Sequence, residues 1–105
     1  MHYFSSMVHQ KVQLGRKQAD GYSIPLGPVN LVFVITDIGM VGCGAFDVMA
    51  LDTFSYPAAR VKSTTGNPIV TIDDLLSGMV KDANHEAVKL GIHSGMAGKE
   101  ALDLL

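Results

Sequence analysis

The stretch that most constrains this chain is residues 29–54, VNLVFVITDIGMVGCGAFDVMALDTF. Its first seven residues are apolar at every position except Asn30, the pattern of a central strand covered on both faces. Gly27-Pro28 separates it from what precedes, and Thr36-Asp37-Ile38-Gly39 reads as a turn with glycine last. Residues 40–45 should then return as an antiparallel partner. With Ile35 opposite Met40, Val32 falls opposite Cys43 and Asn30 opposite Ala45. Asn30 and Cys43 then share one face as diagonal neighbours, about 7–8 Å apart. Asp47 is a good helix N-cap, and Val48, Leu51 and Phe54 have helical spacing. The chain is expected back as a strand over residues 58–63, which makes residues 40–63 a tight strand–helix–strand crossover of right-handed sense.

The flanks are read around that core. Residues 6–14 suggest an edge strand with Val8, Val12 and Leu14 on one face. Residues 15–21, GRKQADG, read as a solvated hairpin turn before a short strand over 22–26. Pro25 lacks an N–H, so it places that strand at an edge or ends it. After a loop over residues 64–68, Thr71-Ile72-Asp73-Asp74 opens a helix with a capping box. Apolar residues from Ile72 to Leu90 keep a helical stripe, so helices are expected over 72–77 and 79–90. A break falls at Ser77-Gly78, and Gly91 serves as a left-handed C-cap. A last helix begins near Ala97, with Leu102 and Leu105 inward.

The fold class expected is therefore α+β: a largely antiparallel sheet of about four or five strands, packed on one face by the C-terminal helices. At 105 residues the chain is read as a single domain with its own core. Its net charge is -2, and no segment is basic enough to follow a phosphate backbone, so nucleic acid is not an expected partner. No apolar run approaches the roughly 20 residues that span a bilayer. The N-terminus lacks the cationic and apolar regions of a signal peptide, and one Cys forms no internal disulfide. A cytoplasmic protein is the expectation. With 48% hydrophobic residues, six Met and no Trp, the chain has more apolar surface than one small core readily hides, which favours a homo-oligomer, with a dimer expected.

Asn30, the motif G-x-x-x-C-G-A-x-D at residues 39–47, T-I-D-D-L-L at residues 71–76 and the motif G-M-A-G-K-E-A-L at residues 95–102 together resemble the YunC-like domain of unknown function 1805. The resemblance runs from about residue 26 to residue 105. It implies a mixed αβ fold with a cysteine at a strand end, and it implies no particular activity. Ala97 stands where similar proteins often carry a capping Ser.

Cys43 is the candidate catalytic residue. It lies between Gly42 and Gly44 just ahead of the Asp47 cap, where a helix N-terminus favours the thiolate of a nearby cysteine. Close packing of helix on sheet explains a small Cys flanked by Gly more simply, since free Cys is among the most buried residue types, although two flanking glycines leave unusual room for a ligand. Asn30, Gly44 and Arg60 are the candidate ligand-binding residues for a small molecule. Asn30 sits across the hairpin from Cys43, Gly44 leaves room, and Arg60 opens a basic, hydroxyl-rich segment with Lys62, Ser63, Thr64 and Thr65. Each also has a plainer explanation, as a backbone-satisfying Asn, a packing Gly and a solvated loop. No cofactor motif is present. His85 and His93 lack the spacing of a metal pair, so no metal is expected. The sequence names two classes, a small-molecule binder or enzyme using Cys43 and a non-catalytic homo-oligomeric module, without naming a reaction.

Overall fold

The computed structural model describes residues 7–105. Six strands form one sheet in chain order: β1 (Val8–Gln13), β2 (Gln18–Leu26), β3 (Val29–Ile35), β4 (Met40–Gly42), β5 (Ala58–Lys62) and β6 (Met79–Ala83). Neighbours are antiparallel except β4 and β5, which run parallel. A parallel pair needs a crossover, and α1 (Val48–Asp52) provides it. The other helices are α2 (Ile72–Ser77), α3 (His85–Lys89) and α4 (Gly98–Asp103).

The α+β class and the largely antiparallel sheet stand, with six strands instead of four or five. Val32, Val34, Val41, Ala59, Val61 and Val80 pack with Leu75 of α2 and Leu102 of α4, as the helix-backed layer requires. Strand neighbours point to opposite faces, so Met40, Ala58 and Phe33 form a second, smaller cluster on the other face under Val48 of α1. Helices therefore cover part of both faces. The Ile35↔Met40 register is as expected, and Cys43 N–H donates to Val32 O at 2.9 Å just beyond it. Leu102 and Leu105 are fully buried, and Gly91 adopts φ 97°, a left-handed value that glycine enters without a Cβ penalty.

Four local expectations fail for identifiable reasons. The segment 79–83 is a strand, because Gly78 leaves α2 in extended conformation (ψ 172°) and the chain pairs with the free edge of β5. Val80, Ala83 and Ala87 satisfy a helical stripe, yet Val80 alone is fully buried on a strand, so the pattern did not discriminate. Residues 18–21 belong to β2 instead of a turn. Gly21 is there because Ile72 of α2 presses on the strand, and an added Cβ would lie 2.9 Å from its Cδ1. Phe54, placed at helical spacing with Val48 and Leu51, lies outside the helix and is 78% exposed, because α1 stops at Asp52. Val8 is 49% exposed at the outer edge, although Val12 and Leu14 are buried; Ser6, the expected start of that strand, lies outside the described residues. Pro25 lies past Val8↔Ser23, the last pair of β1 and β2 among the described residues, but β2 is flanked by β1 and β3 and continues through Pro25, which pairs with Asn30, to Leu26.

The centre of the crossover is held by Asn84, which is fully buried. Its Oδ1 accepts from Ala58 N–H (3.1 Å) and from Ala87 N–H (3.0 Å), capping α3. Its Nδ2 donates to Val48 O (2.9 Å) and Tyr56 O (2.8 Å). All four hydrogen-bonding positions of the amide are filled. Asn84→Ala strips partners from four backbone groups in a dry setting, each worth about 1–3 kcal/mol when left unpaired. The variant is expected to lose at least about 3 kcal/mol in urea unfolding; a loss below about 1 kcal/mol would refute this account of the crossover.

Candidate functional site

Beyond β4 the chain makes a four-residue turn in which Phe46 N–H donates to Cys43 O (3.2 Å), with Gly44 and Ala45 at its middle. Asp47 then caps α1 by accepting from Ala50 N–H at 3.0 Å, as expected. The two glycines around Cys43 have different causes. A Cβ on Gly42 would lie 2.4 Å from the Phe46 ring, so that glycine makes room for an aromatic side chain. A Cβ on Gly44 would meet nothing within 4 Å.

Cys43 is buried, with 6% exposure, and packs in the main core. Val32 N–H points at its Sγ from 3.5 Å. The helix that was to act on this thiol is five residues long and starts beyond Asp47, so its end offers Cys43 little. Cys43 nevertheless forms part of the wall of a cleft of about 510 Å³. Asn30, Gly44 and Arg60 line the same cleft, so all four candidate residues come together. Lys62 and Ser63 of the basic segment join them, while Thr65 turns back to bond Ser63 Oγ.

The cleft has two kinds of wall. One is apolar, made by Leu26, Pro28 and Val29 at the β2–β3 turn and by Ile69 and Val70 on the other side. The other carries Arg60, Lys62 and Lys81 and has no carboxylate among its lining residues. Lys81 is the residue that sequence reasoning missed. Arg60 pairs with Asp82 and Val61 with Val80, so Lys81 is the extra residue of a β-bulge, a device that redirects a side chain. Reading 79–90 as helix concealed it. Arg60 is 29% exposed in its side chain; it forms an ion pair with Asp82 and donates to Gly44 O at 3.4 Å. Its Nε is buried without a partner, a state costing about 1–3 kcal/mol. Lys62 and Lys81 have no carboxylate partner among the described residues.

Asn30 has a structural task, since its Nδ2 donates to Val70 O at 3.1 Å, beside a bond from Ser23 Oγ to the same carbonyl at 3.3 Å. Asp74 secures this wall from the other side: its Oδ2 accepts from Val70 N–H (3.1 Å) and Thr71 N–H (3.0 Å), while Thr71 Oγ1 accepts from Asp74 N–H. Those backbone donors hold the Asp74 carboxyl below its ordinary value of 3.8. His85 lies apart from the cleft and bonds Asp52 at 2.7 Å. Among the described residues no cluster of His, Cys, Asp or Glu could hold a metal ion, and no helix is long and apolar enough to cross a membrane.

Fold and site together define a small αβ domain with a cysteine-walled, cation-rimmed cleft at one end of its sheet. Residues 42–105 match the model of the domain of unknown function DUF1805, and the chain belongs to that family. It is 32% identical over 80 residues to the uncharacterised protein YunC of Bacillus subtilis, covering 76% of this chain and 78% of that one. The crystal structure of a protein of unknown function, TA1206 from Thermoplasma acidophilum, superposes with a TM-score of 0.84 at 28% identity over 97% of both chains. In α4 the departure from the capping Ser has a visible result. Ala97 provides no side-chain cap, and only the return bond remains, from Ala97 N–H to Glu100 Oε1 at 2.9 Å.

Because Asp74 binds its proton less tightly when folded than when unfolded, the stability it contributes is complete above the unfolded pKa, about 3.9. That contribution is lost as pH falls through the lower folded value. Asp74→Asn should therefore be less stable than the parent protein above about pH 5, with the gap narrowing toward pH 3. Urea midpoints across that range measure it, and a gap that stays constant with pH would contradict the assignment.

Proposed function

We propose that the protein binds a small organic anion in the Cys43 cleft, with Cys43 as the sulfur nucleophile that meets it. The observation that carries this reading is the charge of the lining: Lys62 and Lys81 with no carboxylate partner among the described residues, beside Arg60 in its pair with Asp82, around a thiol that is packed yet reaches a cleft of about 510 Å³. That volume lies within the usual range for small-molecule sites. The apolar wall from Leu26 to Val29 and at Ile69 suits the carbon body of such a ligand, and the cationic wall its acid group.

A pair of alkylating reagents tests this directly, since iodoacetate carries the negative charge that iodoacetamide lacks. Relative to a free thiol, native Cys43 is expected to prefer iodoacetate on the order of tenfold more, through attraction into a cleft of one sign. Lys81→Gln with Lys62→Gln should abolish that preference. A native thiol that resists both reagents until the protein unfolds would leave Cys43 as a packing residue and end the reading.

A separate observation favours self-association as well. On the α1 face of the sheet His9 stacks on Tyr22 with ring centroids 4.7 Å apart, Tyr22 stacks on Phe33 at 5.1 Å, and Phe46 meets Phe33 edge-on at 5.4 Å. Leu26 and Val29 are exposed nearby in sequence, and the Lys11–Asp20 pair (2.8 Å) adds charges of both signs, which a two-fold axis can match. We propose a homodimer through this face. Sedimentation at micromolar concentration should show a dimer that Tyr22→Glu converts to monomer; a monomeric parent protein would refute it.

A further inference from the structure

The Cys43 cleft does not end at the Gly44-Ala45 turn. A second cleft, of about 670 Å³, lies against the same turn and extends along α1 to His93 and Ser94 after α3. The two share Gly44, Ala45, Arg60 and Lys81, so the turn and the bulge form a common boundary. Their charges differ. The first has Arg60, Lys62 and Lys81 with no acid in its lining, whereas the second keeps Arg60 and Lys81 and adds Asp47 and Asp82, of which Asp82 is ion-paired with Arg60. Asp47 uses Oδ1 for the Ala50 cap, and its Oδ2 has no hydrogen bond among the described residues.

Gly44 is the independent observation. Glycine is commonly required by a left-handed φ or by a close neighbour. Gly44 has neither: its φ is outside the positive range, and a Cβ there would meet no atom within 4 Å. Gly42, one residue before Cys43, is fully explained by the Phe46 ring, so the contrast is internal to the motif. Nothing in the folded chain needs the missing side chain at 44, which borders both clefts.

We infer that the two clefts are one site and that its ligand is two-ended: an organic acid carrying an amine at its far end, laid across Gly44. The inference rests on the anion-binding reading above and extends it. The carboxylate lies by Lys62 and Lys81, the chain crosses the backbone at Gly44 where a side chain would obstruct it, and the ammonium reaches Asp47, since Asp82 is held by Arg60. Lys62 lines only the first cleft and Asp47 only the second, so the direction in which the ligand lies is fixed, since the reversed pose would set ammonium against Lys62 and carboxylate against Asp47.

Isothermal titration calorimetry with matched probes tests this without relying on thiol reactivity: hexanoate against 6-aminohexanoate, and octanoate against 8-aminooctanoate. At least one amino acid should bind the parent protein tenfold or more tightly than its alkyl partner. Asp47→Asn keeps a competent N-cap and removes the charge, and should erase that preference while leaving the alkyl acids unchanged. Gly44→Leu should leave the melting temperature within a degree or so, since it meets open space, and weaken the amino acids more than the alkyl acids. Equal affinity of amino and alkyl acids for the parent protein, or a preference that survives both substitutions, overturns the two-ended ligand and leaves the anion reading standing. Failure of all four acids to bind overturns both.

Discussion

The crossover between β4 and β5 is, among the described residues, the one place where neighbouring strands run parallel, and it depends on a single buried amide. A parallel pair cannot be closed by a tight turn, so residues 43–57 must leave the sheet, make α1 and return. A five-residue helix is far too short to be stable alone. Asn84 ties both parts of the excursion, through Val48 O and Tyr56 O, to the start of β5 and to the cap of α3. Such a network is useful only when complete, because a low-dielectric interior makes each unpaired member expensive. The same residue follows β6 directly, and its own N–H donates to Ala58 O at 3.1 Å. Asn84 thus anchors the β5–β6 ladder three residues from Lys81, the bulged residue.

What was legible in the sequence was what neighbours along the chain decide. The apolar run of β3, its register with β4, the Asp47 and Thr71 caps and the Gly91 terminus each depend on a few adjacent residues. What was illegible depends on residues far apart. Met79 to Ala83 could be placed only by knowing that β5 had a free edge, since a buried Val80 and a half-buried Ala83 suit either period. Gly21 looked like punctuation until Ile72, fifty-one residues later, accounted for its missing side chain. The exposed Phe54 shows the reverse error, a helical period continued beyond the point where α1 stops.

The candidate site divides along the same line. Cys43, Asn30, Gly44 and Arg60 were each visible by residue type, and they do converge on one cleft. Their plainer explanations are also partly right. Asn30 holds the carbonyl of Val70, so its contribution to the cleft is to position a wall. The charge that gives the cleft its sign needed Lys81, whose placement follows from a bulge between strands nearly twenty residues apart. Asn84 gave no local signal either, because a buried Asn and an exposed helix cap look alike in sequence.

Membership of a family described by its unknown function, and a close match to a solved structure, establish the fold and leave the chemistry to the site. The discriminating feature is therefore a residue that the fold does not explain. Gly42 is accounted for by Phe46, whose ring covers the strand and continues the aromatic ladder from Tyr22 and Phe33. Cys43 is accounted for in part by the core around it, and Asp47 by α1. Gly44 alone in this motif satisfies no requirement of backbone conformation or internal packing. It also sits on the boundary of two clefts, against an arginine whose Nε is left unpaired in the interior. A folded chain optimised for stability alone would place a bulkier residue at that turn and satisfy that arginine, since substitutions of this kind commonly raise stability. Departures from local consistency are expected at functional or strained positions, and their gathering at this turn is the support they lend to the proposed site.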